Sequence, residues 1–355
     1  MWQRPNHLLA RIARESPVIV LEEPLSGERD EDIIERADGV TVVTPRRTAA
    51  GDAVDARALD TVHGLLDTRA PLVWLYTPMM LGLADAFAGA PLVFDKMDEL
   101  ADFAHADPRL PGRERALLAR ADVVFAGGRS LYRSISGRAR IARCYPSGVD
   151  VAHFAAAQTS EPHPELAPFR DGPVFGYIGV IDERIDLGLI DAIAQAHPAA
   201  TLAMIGPVVK IDPGSLPRRA NISYLGSRTY DELPTLLAGI EVALMPFALN
   251  RHTAKISPTK TLEYLAAGRP VVSTAVPDVV EEYAEIVHIG ADHAEFVALL
   301  ERARRPDPAR TARAAQRVGA ATWDAIAEAM RGDLAGAGIA YAAASPARSS
   351  WAALA

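Results

Sequence analysis

The chain has 355 residues, 49% of them hydrophobic, and a formal charge of −8. That length exceeds what one ordinary core serves and suits two domains. The charge argues against a general nucleic-acid binder, which needs a basic face, while leaving room for a local basic pocket that takes a phosphate. One cysteine, Cys144, excludes an intrachain disulfide and fits a reducing compartment. With no signal peptide and no apolar run long enough to cross a bilayer, the expected location is the cytoplasm, with peripheral membrane contact left open.

Compact β-branched runs at 17–24, 39–45, 71–78, 91–99 and 121–128 read as strands buried on both faces. Amphipathic stretches at 54–67 and 112–120 lie between them. Such alternation makes a parallel sheet flanked by helices. "CYPSGVD" (144–150) and the Ala/Pro/His-rich segment 152–168 break the pattern and read as a linker. The pattern restarts with strands at 172–182, 200–208, 221–226, 241–247 and 270–277, and helices at 186–196, 230–239 and 258–267. The expected fold is α/β, with two doubly wound, Rossmann-like domains and a cleft between them. Residues 1–150 form the first domain, its first strand not evident in the sequence, and 151–330 the second. Segment 294–330 is helical, and 331–355 reads as an Ala-rich tail. Ligands of such sheets bind beyond the carboxyl ends of the strands.

In "ISPTKTLEYLAAGRPVV" (256–272), Ser257 reads as a helix cap and Pro258 as the first helical residue. Lys260 then sits beside the positive end of the helix dipole, which is unfavourable unless an anion lies between. Amides of Thr259, Lys260 and Thr261 lack helical partners there. Glu263, three residues on, shares the face of Lys260 and suits ribose hydroxyls. A nucleoside diphosphate meets both demands; a solvated Lys–Glu pair is the plainer alternative. "YIGVIDERID" (177–186) brings Gly179 and Arg184 to the end of the first strand of the second domain. Arg184 there suits either a phosphate or a salt bridge with Glu183 or Asp186. Gly206 and Gly226 permit close approach to a flat base, or are ordinary turn glycines.

The segment "SPTKTLEYLAAGRPVVST" resembles the donor-site helix of retaining, family 4 glycosyltransferases of the GT-B fold. "WQRPNHLLARIARE", "LYTPMML", "DKMDEL" and "GVIDERIDLGLI" resemble a subgroup often found beside UDP-galactopyranose mutase. The resemblance spans about residues 2–330. It implies a nucleotide-sugar donor, with Lys260 and Arg184 on the diphosphate, Glu263 on the ribose, Ser257 to Lys260 along the phosphates, and Ser227, Arg228 and Thr229 at the base. It implies an acceptor against Arg4, His7, Thr77 and Asp95, in loops that also include Gly127–Ser130. No cofactor is implied, since the nucleotide sugar is a substrate.

Three departures stand out. The family's first glutamate of a paired set falls at Lys255. A histidine near the reacting sugar is absent, leaving Asp95 or Asp98 as the substitute, although Asp98 also suits a helix start. No strand precedes "MWQRPNHLL", so either the start lies upstream or the first sheet is rearranged; an upstream extension would then raise thermal stability.

No HExxH, CxxC or histidine cluster suggests a metal, and no Gly-rich phosphate loop follows a strand. "DED" at 30–32 reads as the solvated start of a helix. His252, in the loop before the donor helix, is a weaker candidate. The expectation is a metal-independent, retaining glycosyltransferase using a UDP-sugar, with Arg184, Lys260 and Asp98 at the reacting centre. The rivals are an epimerase of the same fold, for which no acid–base set assembles, and a catalytically silent nucleotide-sugar-binding protein.

Overall fold

A computed structural model describes residues 3–22, 33–37, 39–45, 56–66, 71–103, 106–169 and 171–339. The first half contains strands β1 (Val18–Leu21), β2 (Ile33–Ala37), β3 (Val40–Thr44), β4 (Val73–Leu75), β5 (Leu92–Lys96), β6 (Val123–Ala126) and β7 (Ala142–Cys144), with helices α1 (Arg4–Ile12), α2 (Ala56–Leu65), α3 (Gly82–Ala86), α4 (Leu110–Arg120) and α5 (Arg129–Ile135). These strands form two sheets, ordered β1-β3-β2 and β4-β5-β6-β7. Among the described residues β1 and β4 pair on one side only, and Leu21 of β1 packs against the core that holds Val73 and Leu75.

Residues 33–37 are an exposed strand antiparallel to β3, where a helix start was expected; the "DED" run at 30–32 lies outside the described residues. The reason is a turn. The pairing Ala37↔Val40 leaves two residues, "DG", between the strands, and Gly39 has φ 80°, the left-handed conformation that tight hairpins require.

The second half contains helix α6 (Val151–Ala155), then β8 (Val174–Ile178), α7 (Leu187–Ala196), β9 (Thr201–Ile205), β10 (Ile222–Gly226), α8 (Leu233–Ala238), β11 (Val242–Met245), α9 (Lys260–Ala266), β12 (Val271–Thr274), α10 (Pro277–Tyr283), β13 (His288–Gly290), α11 (His293–Ala303), α12 (Pro308–Ala320) and α13 (Trp323–Gly336). Its parallel sheet has the order β10-β9-β8-β11-β12-β13. The chain adds strands outward from β8 in one direction and outward from β11 in the other. The crevice at this reversal, beyond the carboxyl ends of β8 and β11, is where such sheets take ligands.

Two segments differ from the sequence reading. Residues 152–168 are not a free linker: Phe154, Ala157 and Leu166 are buried in the second core, because α6 and the short turns after it lie under α8 and α9. Residues 331–339 are not tail. Helix α13 runs to Gly336, and Met330, Leu334 and Ile339 join Leu8, Val123 and Phe125 in one buried cluster. The chain thus returns to cover the sheet β4-β5-β6-β7, so residues 323–339 belong in space with the first domain. Residues 340–355 lie outside the described set. On another side, α5 meets α10: Ser130 N–H donates to Asp278 at 3.0 Å, and Arg133 pairs with Glu281 at 2.8 Å.

Candidate functional site

The loops after β8 and β11 meet at Gly179. This residue has φ 157°, and a Cβ on it would run into Cε of Lys260. Only glycine lets the lysine lie across the loop. Gly206, at the end of β9, lies against the same loop, since its own Cβ would strike Gly179 O. The Lys260 ammonium is 6.0 Å from the centre of the Tyr177 ring. Among the described residues no carboxylate stands within ion-pair distance of it, although Asp182, Glu263 and Asp98 are near enough to act on its charge. Burial holds this amine below its usual pKa, and Arg184 adds to the effect. Glu263 is pushed up by burial, against the pull of Lys260 and a hydrogen bond from Thr259. A desolvated cation and a desolvated acid side by side suit a ligand that supplies phosphate to one and hydroxyl groups to the other.

Helix α9 starts at Lys260, with Thr259 as its cap position and no side-chain cap. Ser257 is therefore not the cap: Thr261 N–H already bonds to Pro258 O at 3.3 Å, so the turn over 258–261 tightens before the helix begins. Ser257 instead sits beside Gly128 of the first domain. What this segment offers an anion is therefore the lysine side chain rather than a free helix end.

Arg184 forms a fork on Asp182, with contacts of 3.0, 3.1 and 2.7 Å. Neither Glu183 nor Asp186 is its partner: Asp186 caps α7 through Leu189 N–H, and both Glu183 carboxylate oxygens are buried without a hydrogen bond. Facing Arg184 from the first domain is the segment 98–103. The Phe103 ring lies 5.6 Å from the Arg184 guanidinium and 5.1 Å from the Lys210 ammonium. Burial raises Asp98 to a pKa of about 6, against the opposing influence of Arg184, Lys96, Lys210 and Lys260.

Lys255, where the sequence resemblance would place a glutamate, is a cation whose countercharge comes from the other domain. Its ammonium binds Glu99 at 2.9 Å and Asp102 at 3.4 Å. Glu99 also accepts from buried Lys96, which in turn holds Glu114 at 2.6 Å. Burial works to raise Glu99, but the hydrogen bonds from the two lysines outweigh it and keep it low.

The remaining expected residues divide. Thr229 is held by Glu232, which accepts from its N–H and hydroxyl at 2.7 Å each. Arg228 pairs with Glu165 and donates to Ser227 O at 2.8 Å. The next residue, Tyr230, is close enough to Glu263 to feel its charge, so this loop lies near that carboxylate. On the acceptor side, Arg4 and Asp95 form a buried pair at 3.0 Å, and Arg4 also donates to Tyr145 O at 2.7 Å. His7 is stacked on Trp323 with ring centres 4.9 Å apart, and burial lowers its pKa to about 4. Thr77 accepts from Met79 N–H at 3.2 Å and caps a short turn. These four secure the first domain and its contact with α13 and the Tyr230 loop; the first-domain acid whose charge environment includes the cleft cations is Asp98. His252 N–H bonds to Asn250 at 2.8 Å within its own loop.

Sequence reasoning missed Lys210 and Phe103. Lys210 has φ 62°, the left-handed region, which costs a non-glycine residue about 1 kcal/mol. Backbone strain of this kind clusters at ligand-binding sites. Among the described residues no cluster of side chains could hold a metal ion, and no helix is long and apolar enough to cross a membrane.

Residues 172–304, which carry Gly179, Arg184, Lys210, Lys255 and Lys260, match the family described as "Glycosyl transferases group 1". The chain is 26% identical over 200 residues to "Putative teichuronic acid biosynthesis glycosyltransferase TuaH" of Bacillus subtilis (strain 168); the match covers 53% of this chain and 50% of that relative's length. Sucrose-phosphate synthase from Thermosynechococcus elongatus superposes with a TM-score of 0.68 at 17% identity, over 93% of this chain and 91% of that one. The Escherichia coli trehalose-6-phosphate protein bound with UDP-2-fluoro glucose gives 0.67 at 14% identity, over 92% and 94%. The UDP-forming trehalose-phosphate synthase of Burkholderia xenovorans in complex with glucose-6-phosphate gives 0.68 at 13% identity, over 94% and 96%. The chain has the GT-B fold of glycosyltransferases, and its second domain carries the group 1 family pattern.

Proposed function

We propose that the protein is a metal-independent glycosyltransferase that moves a sugar from a UDP-sugar to a hydroxyl acceptor, with retention at the anomeric carbon, in the synthesis of a surface polysaccharide or glycoconjugate. The observation that carries the reading is Lys260: an ammonium laid across Gly179 at the switch point of the second sheet, with no carboxylate in ion-pair reach among the described residues. The name of the Bacillus relative and the UDP-sugar of the E. coli neighbour support the substrate class.

In this reading Lys260 and Arg184 hold the diphosphate, and Glu263 accepts from the ribose. The bond between the anomeric carbon and the β-phosphate oxygen breaks, and its electron pair goes to that oxygen. Lys260 and Arg184 meet the growing charge where it develops, in a site with little water. The acceptor oxygen bonds to the anomeric carbon on the face the phosphate leaves, and its proton passes to the leaving phosphate. Asp98, with a pKa of about 6, holds a sugar hydroxyl at the domain boundary. Lys255 favours a second reading: the family's acid is replaced by a cation already neutralised by Glu99 and Asp102, as befits a protein that binds a nucleotide sugar without transferring it.

A thermal-shift panel of UDP-, GDP-, dTDP- and ADP-sugars tests the proposal. One nucleotide series should raise the melting temperature, and K260M should abolish that shift. A panel without any shift, or a K260M variant that keeps it, refutes the reading. Donor hydrolysis by the stabilised protein then separates a transferase from a silent binder.

A further inference from the structure

The cleft holds four cations from the second domain, and they are not equivalent. Arg184 is forked on Asp182 and Lys255 is bound to Glu99 and Asp102. Lys210 and Lys260 have no ion-pair partner within 4.0 Å among the described residues, and each ammonium rests on a ring instead: Lys260 near Tyr177 and Lys210 near Phe103. Phe103 comes from the other domain. Lys210 is also the only non-glycine residue with positive φ among those described. Its backbone is thus held in a conformation that a lysine adopts at a cost, at the end of the loop after β9, with its charge acting on Asp98. An aromatic face is a weak partner for an exposed ammonium, and a phosphate is a stronger one.

We propose that Lys210 is a donor-binding residue held in reserve. In the empty cleft its ammonium rests on Phe103. When the nucleotide enters, it exchanges the ring for a phosphate oxygen and works with Lys260 on the diphosphate, and the hold of segment 98–103 on the second domain loosens. Phe103 is then the resting partner that the donor must displace. No covalent step is involved. The inference rests on the nucleotide-sugar reading of the cleft and adds a residue that neither the motif nor the family pattern assigns.

The test is equilibrium binding, by titration calorimetry, of UDP, GDP, dTDP and ADP to the full chain, taking the tightest forward at several salt concentrations. Wild type is compared with K260M, K210M, K210G and F103L. K210M keeps the strained backbone and loses the charge; K210G loses both. Both should bind about fivefold more weakly than wild type, with a shallower salt dependence, and F103L should bind at least as tightly as wild type because it frees the ammonium. A purely structural Lys210 predicts wild-type affinity for K210G, since glycine relieves the strain. Affinity of K210M or K210G within twofold of wild type, or weakening by F103L, overturns the proposal. If wild type binds and K260M weakens while K210M does not, this inference alone fails; if wild type binds none of the four, the nucleotide reading fails and takes the inference with it.

Discussion

Replacing Arg4 with methionine separates two accounts of the first domain. If Arg4 and Asp95 face an acceptor, R4M should lower turnover and leave folding intact. The structure assigns them to the core: the two side chains are 3% and 0% exposed and joined at 3.0 and 3.1 Å. Removing one member of such a pair strands the other charge in a medium that solvates it poorly, which costs about 3–5 kcal/mol. Burial already pushes the Asp95 carboxyl up, with Arg4 opposing; without Arg4 it rises further. An acid whose folded pKa exceeds its unfolded value takes up a proton on folding. Its penalty is therefore largest above the folded pKa and fades as the pH falls toward the unfolded value. Urea unfolding of R4M should show a deficit of about 3–5 kcal/mol at pH 7 that shrinks by at most about 1.4 kcal/mol for each pH unit below the folded pKa. R4M/D95N, which removes the stranded charge, should recover part of it. Wild-type stability of R4M at pH 7, or a double variant no better than R4M, would refute the reasoning.

The returning helix offers a second check: Leu334 is 1% exposed in the cluster with Leu8 and Phe125, so L334A should lose about 2–5 kcal/mol in urea unfolding, whereas a frayed tail predicts a change near zero. Asp98, raised to about 6 in the folded protein, binds more protons folded than unfolded across the interval up to that pKa. Wild-type stability should therefore fall relative to D98N as pH rises from about 4 to about 6, and parallel pH profiles of the two would show that Asp98 is not desolvated.

What the sequence disclosed follows from which forces are local. Compact apolar runs mark strands whatever their partners, so β1, β3 to β6 and β8 to β12 were visible as such. Ala142–Cys144 is a strand because it pairs with β6, and "ARC" alone carries no apolar run. Residues 33–37 look like a solvated helix start, but "DG" just after them fixes a hairpin, and that turn signal outweighs the composition of "IIERA". Segment 152–168 is rich in Ala, Pro and His, yet its few large apolar residues, Phe154 and Leu166, are the ones buried. Composition hides a segment that contributes only two or three anchors. The polar face of α13 likewise concealed that Met330 and Leu334 meet a sheet more than 200 positions earlier in the chain.

The same division explains the site. Lys260 and Gly179 were legible because a helix beginning with a lysine and a strand ending in glycine are local anomalies. Lys210 was not, since nothing in "IGPVVK" shows that its backbone is left-handed or that a phenylalanine from another domain lies beneath its ammonium. Lys255 illustrates the point in the opposite sense. By sequence it is a lost acid, a defect in the family pattern. In space the lysine is neutralised, because Glu99 and Asp102 bring carboxylates to its ammonium from the facing domain. The cleft thus keeps acidic groups beside its cations while moving them from one domain to the other. Charge balance there then depends on the domains being closed. Of the cleft lysines, Lys255 and Lys210 touch the first domain, at Glu99, Asp102 and Phe103, whereas Lys260 lies against Gly179 and Tyr177 of its own domain; under the proposed donor reading, Lys210 is therefore the residue through which phosphate binding would reach the contacts between the domains.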